Sequence, residues 1–304
     1  MISKVSGAEF ICGKLDVISL EELRKVPLPD KYFKSKIQIS EVVGNIQMFH
    51  LEPLNKGALF QAASQFNLLE MVGPSVIPER GVGIYENDFT QGPACAIACG
   101  AGTIYRNYFA NVNDQIGQTE NNQIDCLKDI GIELKNEGLR LWKMSNGYAL
   151  VNDLESLNNI TEHIRNKSEQ EYENLKGKLK IGIQWNTEVT ISANKQLVTQ
   201  AYCSALPVSY SHIRSDYWQE FACLILEATY EATFFAALLN FDKTGNNKVY
   251  LTLVGGGAFG NKDEWMFNSI RKTLIRFAYS PLDVKIVSYG KSNPSVIELI
   301  RSMR

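Results

Sequence analysis

The chain has 304 residues, 45% of them apolar and 21% charged, with 31 lysines and arginines against 33 aspartates and glutamates. That length and apolar share suffice for one large globular domain with a proper core, and the near balance of charge excludes the basic excess of a dedicated nucleic-acid binder. Six cysteines and three scattered histidines make no zinc-type spacing, so free thiols in a reducing compartment are expected, with no metal and no cofactor.

Residues 1–45, interrupted by Pro27 and Pro29, read as an N-terminal extension packed on a domain that spans 46–304. Ile46–Leu51 alternates in part and suits a first core strand, and Gly57–Ser64 suits a second that runs into the turn Gln65-Phe66-Asn67. Val72–Thr90, holding Pro74, Pro78, Gly73, Gly81 and Gly83, is the longest loop-like piece. Long loops inside compact domains commonly carry function. A helix then starts at Thr90 or Gln91 with Pro93 in its first turn. Its stripe Cys95, Ala98, Cys99, Gly102, Tyr105 and Phe109 is small enough to lie against a sheet, and the two thiols read as packing groups. Arg106 and Asn107 read as surface positions of that helix.

Asn122–Lys135 reads as a short helix, Met144–Tyr148 as a hairpin around Asn146-Gly147, and Asp153 to about Leu175 as a polar amphipathic helix. Lys180–Trp185, Val189–Ser192 and Gln196–Leu206 read as strands. Tyr217–Leu239 is an almost wholly apolar helix, along which Asp216, Glu220, Glu227 and Glu231 form a stripe read as its water-facing edge.

Val249–Val254 is apolar on both faces, as in a central strand covered by helices. It breaks into Gly255-Gly256-Gly257, followed by Ala258-Phe259-Gly260 and by Asn261, which with Glu264 suits a helix N-cap and capping box. A strand, a glycine loop and a helix start make an anion cradle, because glycine lets backbone N–H groups approach a phosphate and the helix end adds partial positive charge. The same residues would equally make a tight turn with no ligand. A last strand, Val284–Tyr289, and a helix from about Pro294 close the chain. Strands alternating with helices argue an α/β domain with helices on both faces of its sheet.

Two small-residue loops, each ending a buried strand, resemble the ligand loops of macrodomains. Leu251–Asn261, L-T-L-V-G-G-G-A-F-G-N, looks like the second, diphosphate-binding loop. Phe60–Ser64, F-Q-A-A-S, looks like a variant of the strand-ending V-N-A-A-N pattern, and Glu86-Asn87-Asp88 falls where the family places its first, catalytic loop. The resemblance covers 46–304 and implies a three-layer α/β/α mixed sheet that binds ADP-ribose. The chain departs from the family at Ser64, which replaces an asparagine; it also lacks a G-G-G-V-D motif and paired glutamates in the first loop. This points to a divergent hydrolase type, similar to macrodomains among secreted bacterial effectors that reverse ADP-ribosylation. The expected setting is cytoplasmic, or a host cell reached without a classical signal peptide, for a monomer with no membrane span and no nucleic-acid partner.

On that resemblance the diphosphate is expected on Gly255, Gly256, Gly257 and Ala258 and on the helix start at Thr90, Gln91 and Gly92, with Ser64 beside them. Phe259 is expected on the distal ribose, Tyr289 on the adenine, and Glu52 as the carboxylate reading it. Cleaving a protein–ribose bond builds positive charge on the sugar, which a nearby carboxylate stabilises while activating water. Asp88 and Glu86 are the candidates, with Asn67 orienting the water or ribose hydroxyls. Three readings follow: an ADP-ribosylhydrolase acting on mono-ADP-ribosylated protein, at an arginine linkage; a non-catalytic ADP-ribose reader; and an unrelated α/β nucleotide-binding enzyme. Carboxylates in the first loop favour the hydrolase over the reader, and binding of ADP-ribose against ATP and NAD separates the third.

Overall fold

The computed structural model describes residues 1–88 and 90–303, with the side chains of Lys31 and Phe33 left out. The elements, in chain order, begin with β1 (Lys14–Ser19), α1 (Leu20–Lys25), β2 (Gln38–Val43), α2 (Ile46–Phe49) and β3 (Leu59–Ala63). There follow α3 (Gln91–Ala98), α4 (Gly100–Tyr108), the small hairpin β4 (Asn111–Val112) and β5 (Gln115–Ile116), α5 (Lys128–Glu133), and the hairpin β6 (Trp142–Ser145) and β7 (Tyr148–Val151). The chain continues with α6 (Leu154–Arg165), α7 (Glu169–Gly177), β8 (Lys180–Glu188), β9 (Leu197–Cys203) and α8 (Gln219–Thr244). It ends with β10 (Lys248–Leu251), α9 (Asp263–Arg276), β11 (Asp283–Ser288) and α10 (Pro294–Ser302).

Seven strands make one mixed sheet in the order β1-β8-β9-β3-β10-β11-β2. β9, β3, β10, β11 and β2 run parallel, while β8 is antiparallel to both its neighbours. The parallel strands are nearly continuous apolar runs because helices cover both faces. α8 lies across β3, β8, β9 and β10, and α1, α6, α7 and α9 pack around it. On the other face α3 packs on β3 and α4 on β8, with α2 against α3. This is the three-layer α/β/α mixed sheet expected from the alternation of elements. Residues 14–19 and 38–43, inside the stretch set apart as an N-terminal extension, form the two edge strands, so a boundary at 45 separates no structural unit.

Several elements differ from their sequence reading, each for a local reason. Ile46–Leu51 is not a strand: the Asn45 side chain accepts the Gln47 N–H at 2.9 Å and starts the single helical turn of α2. The helix from Gln91 breaks at Cys99, and Thr190 takes up the freed groups, its N–H on Ala98 O and its hydroxyl under the Gly100 N–H. The helix read through 153–175 is two, because Ser168 and Glu171 form a complete capping box that begins α7. Val189–Ser192 forms no strand, β8 having ended at Glu188. Asn261 does not cap α9, whose N-cap is Lys262. Its amide serves the glycine loop instead.

The acidic stripe on α8 divides in two. Asp216 and Glu220 meet solvent and pair with Lys262 and Arg165. Glu227 and Glu231 are buried, their side chains 7% and 3% exposed, so they do not form a water-facing edge. Arg24 on α1 reaches Glu231 at 2.7 Å and Glu173 at 2.6 Å, while Lys176 and Arg276 close the network. The helical stretch Ser215–Thr244 is long and apolar enough, by composition, to cross a membrane, yet 83% of its most apolar 18-residue window is buried within the domain.

Candidate active site

The C-terminal ends of the parallel strands β3, β9, β10 and β11 open onto one cleft of about 730 Å³. Open α/β sheets place ligands there, because the loops leaving neighbouring strands diverge. Two backbone cradles face each other. One is Gly255–Phe259, leaving β10; the other is Thr90–Gly92, the start of α3.

The glycine loop is built from within. Gly255 has φ +84°, a left-handed conformation, and a Cβ there would lie 2.5 Å from Ala205 Cβ. Asn261 stitches the loop to the end of β9: its side-chain amide donates to Leu206 O at 2.8 Å and to Gly255 O at 3.0 Å. Ser209 holds Ala258 O through its hydroxyl. At the facing helix start, Asp88 Oδ1 accepts both the Thr90 N–H (2.9 Å) and its hydroxyl (2.7 Å). Asp88 therefore sits at the mouth of the cleft with its carboxylate fixed.

The cleft also contains a group that the sequence reading passed over. Glu70 leaves the loop after β3 and is 2% exposed, yet it lines the cleft. Neither carboxylate oxygen has a hydrogen-bond partner within the protein. Burial raises its pKa to about 8, and the Asp88 charge adds to the rise; Arg106 and the Tyr85 hydroxyl oppose it. The backbone around it is fixed: Glu70 N–H donates to Tyr85 Oη (3.0 Å), Met71 N–H to Gln65 Oε1 (2.9 Å), and Tyr148 Oη–H to Met71 O (2.7 Å). Gln91 Oε1 and Thr252 Oγ1, buried on the same cleft, also lack partners. Buried polar atoms are normally paired, so three orphaned side chains around one cavity mark a place for a polar ligand.

An aromatic wall stands on the Glu70 side. Tyr148 packs on Tyr210 (5.1 Å between centroids) and on Phe259 (5.4 Å), and all three line the cleft. Burial raises the Tyr148 pKa, so its phenol stays neutral. At the far end lie Tyr289, 64% exposed, and Lys291.

Of the residues singled out from sequence, the cleft brings together Ser64, Asp88, Thr90, Gln91, Gly92, Gly255, Gly256, Gly257, Ala258, Phe259 and Tyr289. Three lie elsewhere. Glu86 is exposed in the turn before Asp88 and does not line the cleft. Asn67 is fully buried beneath it, where its side chain bonds Gln123 (2.8 Å) and accepts the Leu69 N–H (3.1 Å). Because α2 replaces the expected strand, Glu52 leads into the start of β3, at the opposite end of the sheet from the cleft. Glu70, Gln65, Tyr148, Tyr210 and Thr252 are among the lining residues that sequence reading missed. Glu70 had a signal: it is a lone carboxylate in the run Phe66–Val72, otherwise apolar but for Asn67. Among the described residues no group of three or more His, Cys, Asp or Glu is placed to hold a metal.

No family model matches this sequence, and neither does any curated protein. Solved structures do match in three dimensions. A poly(ADP-ribose) glycohydrolase from Deinococcus radiodurans, in complex with ADP-ribose, superposes with a TM-score of 0.50 at 8% identity, over 95% of this chain and 93% of that one. The chain shares that macrodomain-like fold. A poly(ADP-ribose) glycohydrolase from Thermomonospora curvata, bound to the inhibitor ADP-HPD, overlaps more loosely, with a TM-score of 0.41 at 9% identity over 95% of this chain and 84% of that one. At such identities the likeness is one of fold.

Proposed function

We propose that this protein binds ADP-ribose in the cleft and hydrolyses the bond between its distal ribose and a modified protein side chain. The observation that carries this reading is the Glu70 carboxyl, buried with no hydrogen bond to either oxygen and its pKa raised to about 8, on a cavity that also carries two backbone cradles suited to a diphosphate. Fully burying a carboxyl with no hydrogen bond is costly, and perturbed groups in clefts cluster at catalytic centres.

In this reading the diphosphate lies between the N–H groups of Gly255–Ala258 and the start of α3, where partial positive charge from both sides offsets its own. Phe259 and Tyr148 cover the distal ribose. Glu70, protonated at neutral pH, donates its proton to the departing atom as the bond to the anomeric carbon breaks. The resulting carboxylate then takes a proton from the water that adds to that carbon, which returns the enzyme to its starting state and releases ADP-ribose. Asp88 at the cleft mouth stabilises the positive charge that develops on the sugar.

The substrate proposed is mono-ADP-ribosylated protein, with the arginine linkage as the first to assay. The fold is shared with proteins named for poly(ADP-ribose), so polymer belongs in the same assay. Calorimetry with ADP-ribose, ATP and NAD, followed by release of ADP-ribose from modified protein by wild type and Glu70→Gln, tests the proposal. Binding of ADP-ribose with turnover reduced at least about 10²-fold in Glu70→Gln is expected. Full turnover in that variant removes Glu70 from the mechanism, and no ADP-ribose binding by the wild type removes the function.

A further inference from the structure

Arg106 lies on α4 behind the cleft, fully buried, where sequence reading had placed a surface residue. Three contacts from three elements immobilise its guanidinium. Nε–H donates to Leu68 O at 3.1 Å, Nη2–H donates to Thr103 Oγ1 at 3.2 Å, and the Tyr202 ring of β9 lies flat beneath it, 3.4 Å from centroid to Cζ. Leu68 itself has φ +65°, a conformation leucine seldom adopts. That turns its carbonyl to the guanidinium two residues before Glu70. The same Nη2 stands 3.7 Å from Glu70 Oε1, a distance that gives charge contact without a hydrogen bond. Nη1 has no partner. The pair leaves both Glu70 oxygens without a hydrogen bond from the protein while placing a full positive charge beside them.

We propose that Arg106 is a positioning residue that fixes the orientation of the Glu70 carboxyl and sets the pH range over which it can hand over a proton. The inference rests on Glu70 being the acid of the proposed reaction. The groups facing Glu70 are few. Arg106 comes from α4, Tyr85 and Asp88 from the turn before α3, Cys95 from α3, and Tyr202 from β9. Of these, only Arg106 is a cation, and with the Tyr85 hydroxyl it opposes the desolvation that holds the proton on Glu70. At this depth a fixed cation acts through a low local dielectric and is worth more than on the surface. A carboxyl with burial and no counter-charge would keep its proton at every working pH and be too weak an acid to give it to the leaving group. One with a full hydrogen-bonded ion pair would never hold it. The 3.7 Å spacing lies between these two outcomes.

The test is the pH dependence of kcat/KM for ADP-ribose release, which reports the titration of the free enzyme's essential acid. In the wild type, activity is expected to fall on the basic side as Glu70 loses its proton. Arg106→Gln should move that basic limb to higher pH by about one unit or more, with kcat reduced at least tenfold and ADP-ribose affinity within about threefold of wild type. Arg106→Lys should return the limb toward its wild-type position. Thr103→Val, which removes one guanidinium hydrogen bond at nearly constant volume, should move the limb in the same direction by a smaller amount. It decides the matter if the Arg106 variants do not fold. A basic limb that stays in place in Arg106→Gln, or in Thr103→Val where that alone is soluble, overturns the proposal and leaves Arg106 a packing residue. Absence of any activity that depends on Glu70 in the wild type would instead overturn the function it rests on.

Discussion

Gly92 lies so close to Ala63 that a Cβ on it would come within 2.0 Å of the Ala63 carbonyl oxygen. The first turn of α3 is thus in backbone contact with the end of β3, which brings the N–H groups of the helix start to the cleft floor. Gly92→Ala should separate the two elements. We expect a loss of about 1–3 kcal/mol in urea unfolding together with weaker ADP-ribose binding. Substituting Gly257, where a Cβ meets nothing within 4 Å, should leave packing intact and cost only its left-handed backbone. Equal effects at the two positions would show that the close approach is unimportant.

Asn261 offers a cleaner probe of the opposite cradle, since it touches the loop without lining the cleft. Asn261→Ala frees Gly255 O and Leu206 O together. ADP-ribose affinity should fall about tenfold, while turnover at saturating substrate changes little, because loop order contributes to binding more than to the chemical step. Calorimetry and single-turnover release separate the two effects.

The two carboxylates of the first loop should behave differently. Asp88 is anchored at the cleft mouth by Thr90, and Asp88→Ala should retain ADP-ribose while lowering release about 10²-fold. Glu86 points to solvent, and Glu86→Ala should match the wild type. Turnover unchanged in Asp88→Ala would assign the whole chemistry to Glu70.

Glu70 also has a stability signature. Its pKa is raised from 4.5 to about 8 in the folded chain. Between those values the folded form binds more protons than the unfolded one, so stability falls as pH rises through that window and is flat above it. Glu70→Gln cannot ionise and escapes the loss. It should equal the wild type near pH 4.5 and exceed it above pH 8, by on the order of 5 kcal/mol given a shift from 4.5 to about 8 and the cost of each shifted unit. Parallel unfolding curves across that range would contradict the burial argument.

His50 titrates with the opposite sign. Burial lowers its pKa from 6.5 to about 4, and it stacks on Phe60 while Gln200 bonds its Nε2. Between pH 4 and 6.5 the unfolded chain binds the extra proton, so stability is lost as pH falls through that window. Replacing His50 by Gln should flatten this acid limb in thermal melts at graded pH, whatever it does to absolute stability.

Much of this architecture can be read from the chain, and the exceptions share a cause. Phe60–Ser64 and Val249–Gly257 are recognisable because a buried parallel strand must be apolar on both faces and must then release its backbone through small residues. Glu70, Arg106, Glu227 and Glu231 are not recognisable in that way. Each is a charged side chain, which periodicity assigns to solvent, and each is buried against a partner distant in sequence: Glu70 with Arg106, and Glu231 with Arg24, 207 residues away. Ile46–Leu51 fails for a different reason, since one Asn45 side chain outweighs six residues of partial alternation.

The two edge strands have a consequence for how the chain is made. β1 pairs with β8 and β2 with β11, so Val43 meets Ser288 across the ladder. During synthesis from the N-terminus, β2 therefore leaves the ribosome with no neighbour and waits for almost the whole polypeptide to emerge. Closing a contact of that span is slow. β2, one of the first strands made, is among the last to be paired, and until then its bare edges are open to any other nascent chain.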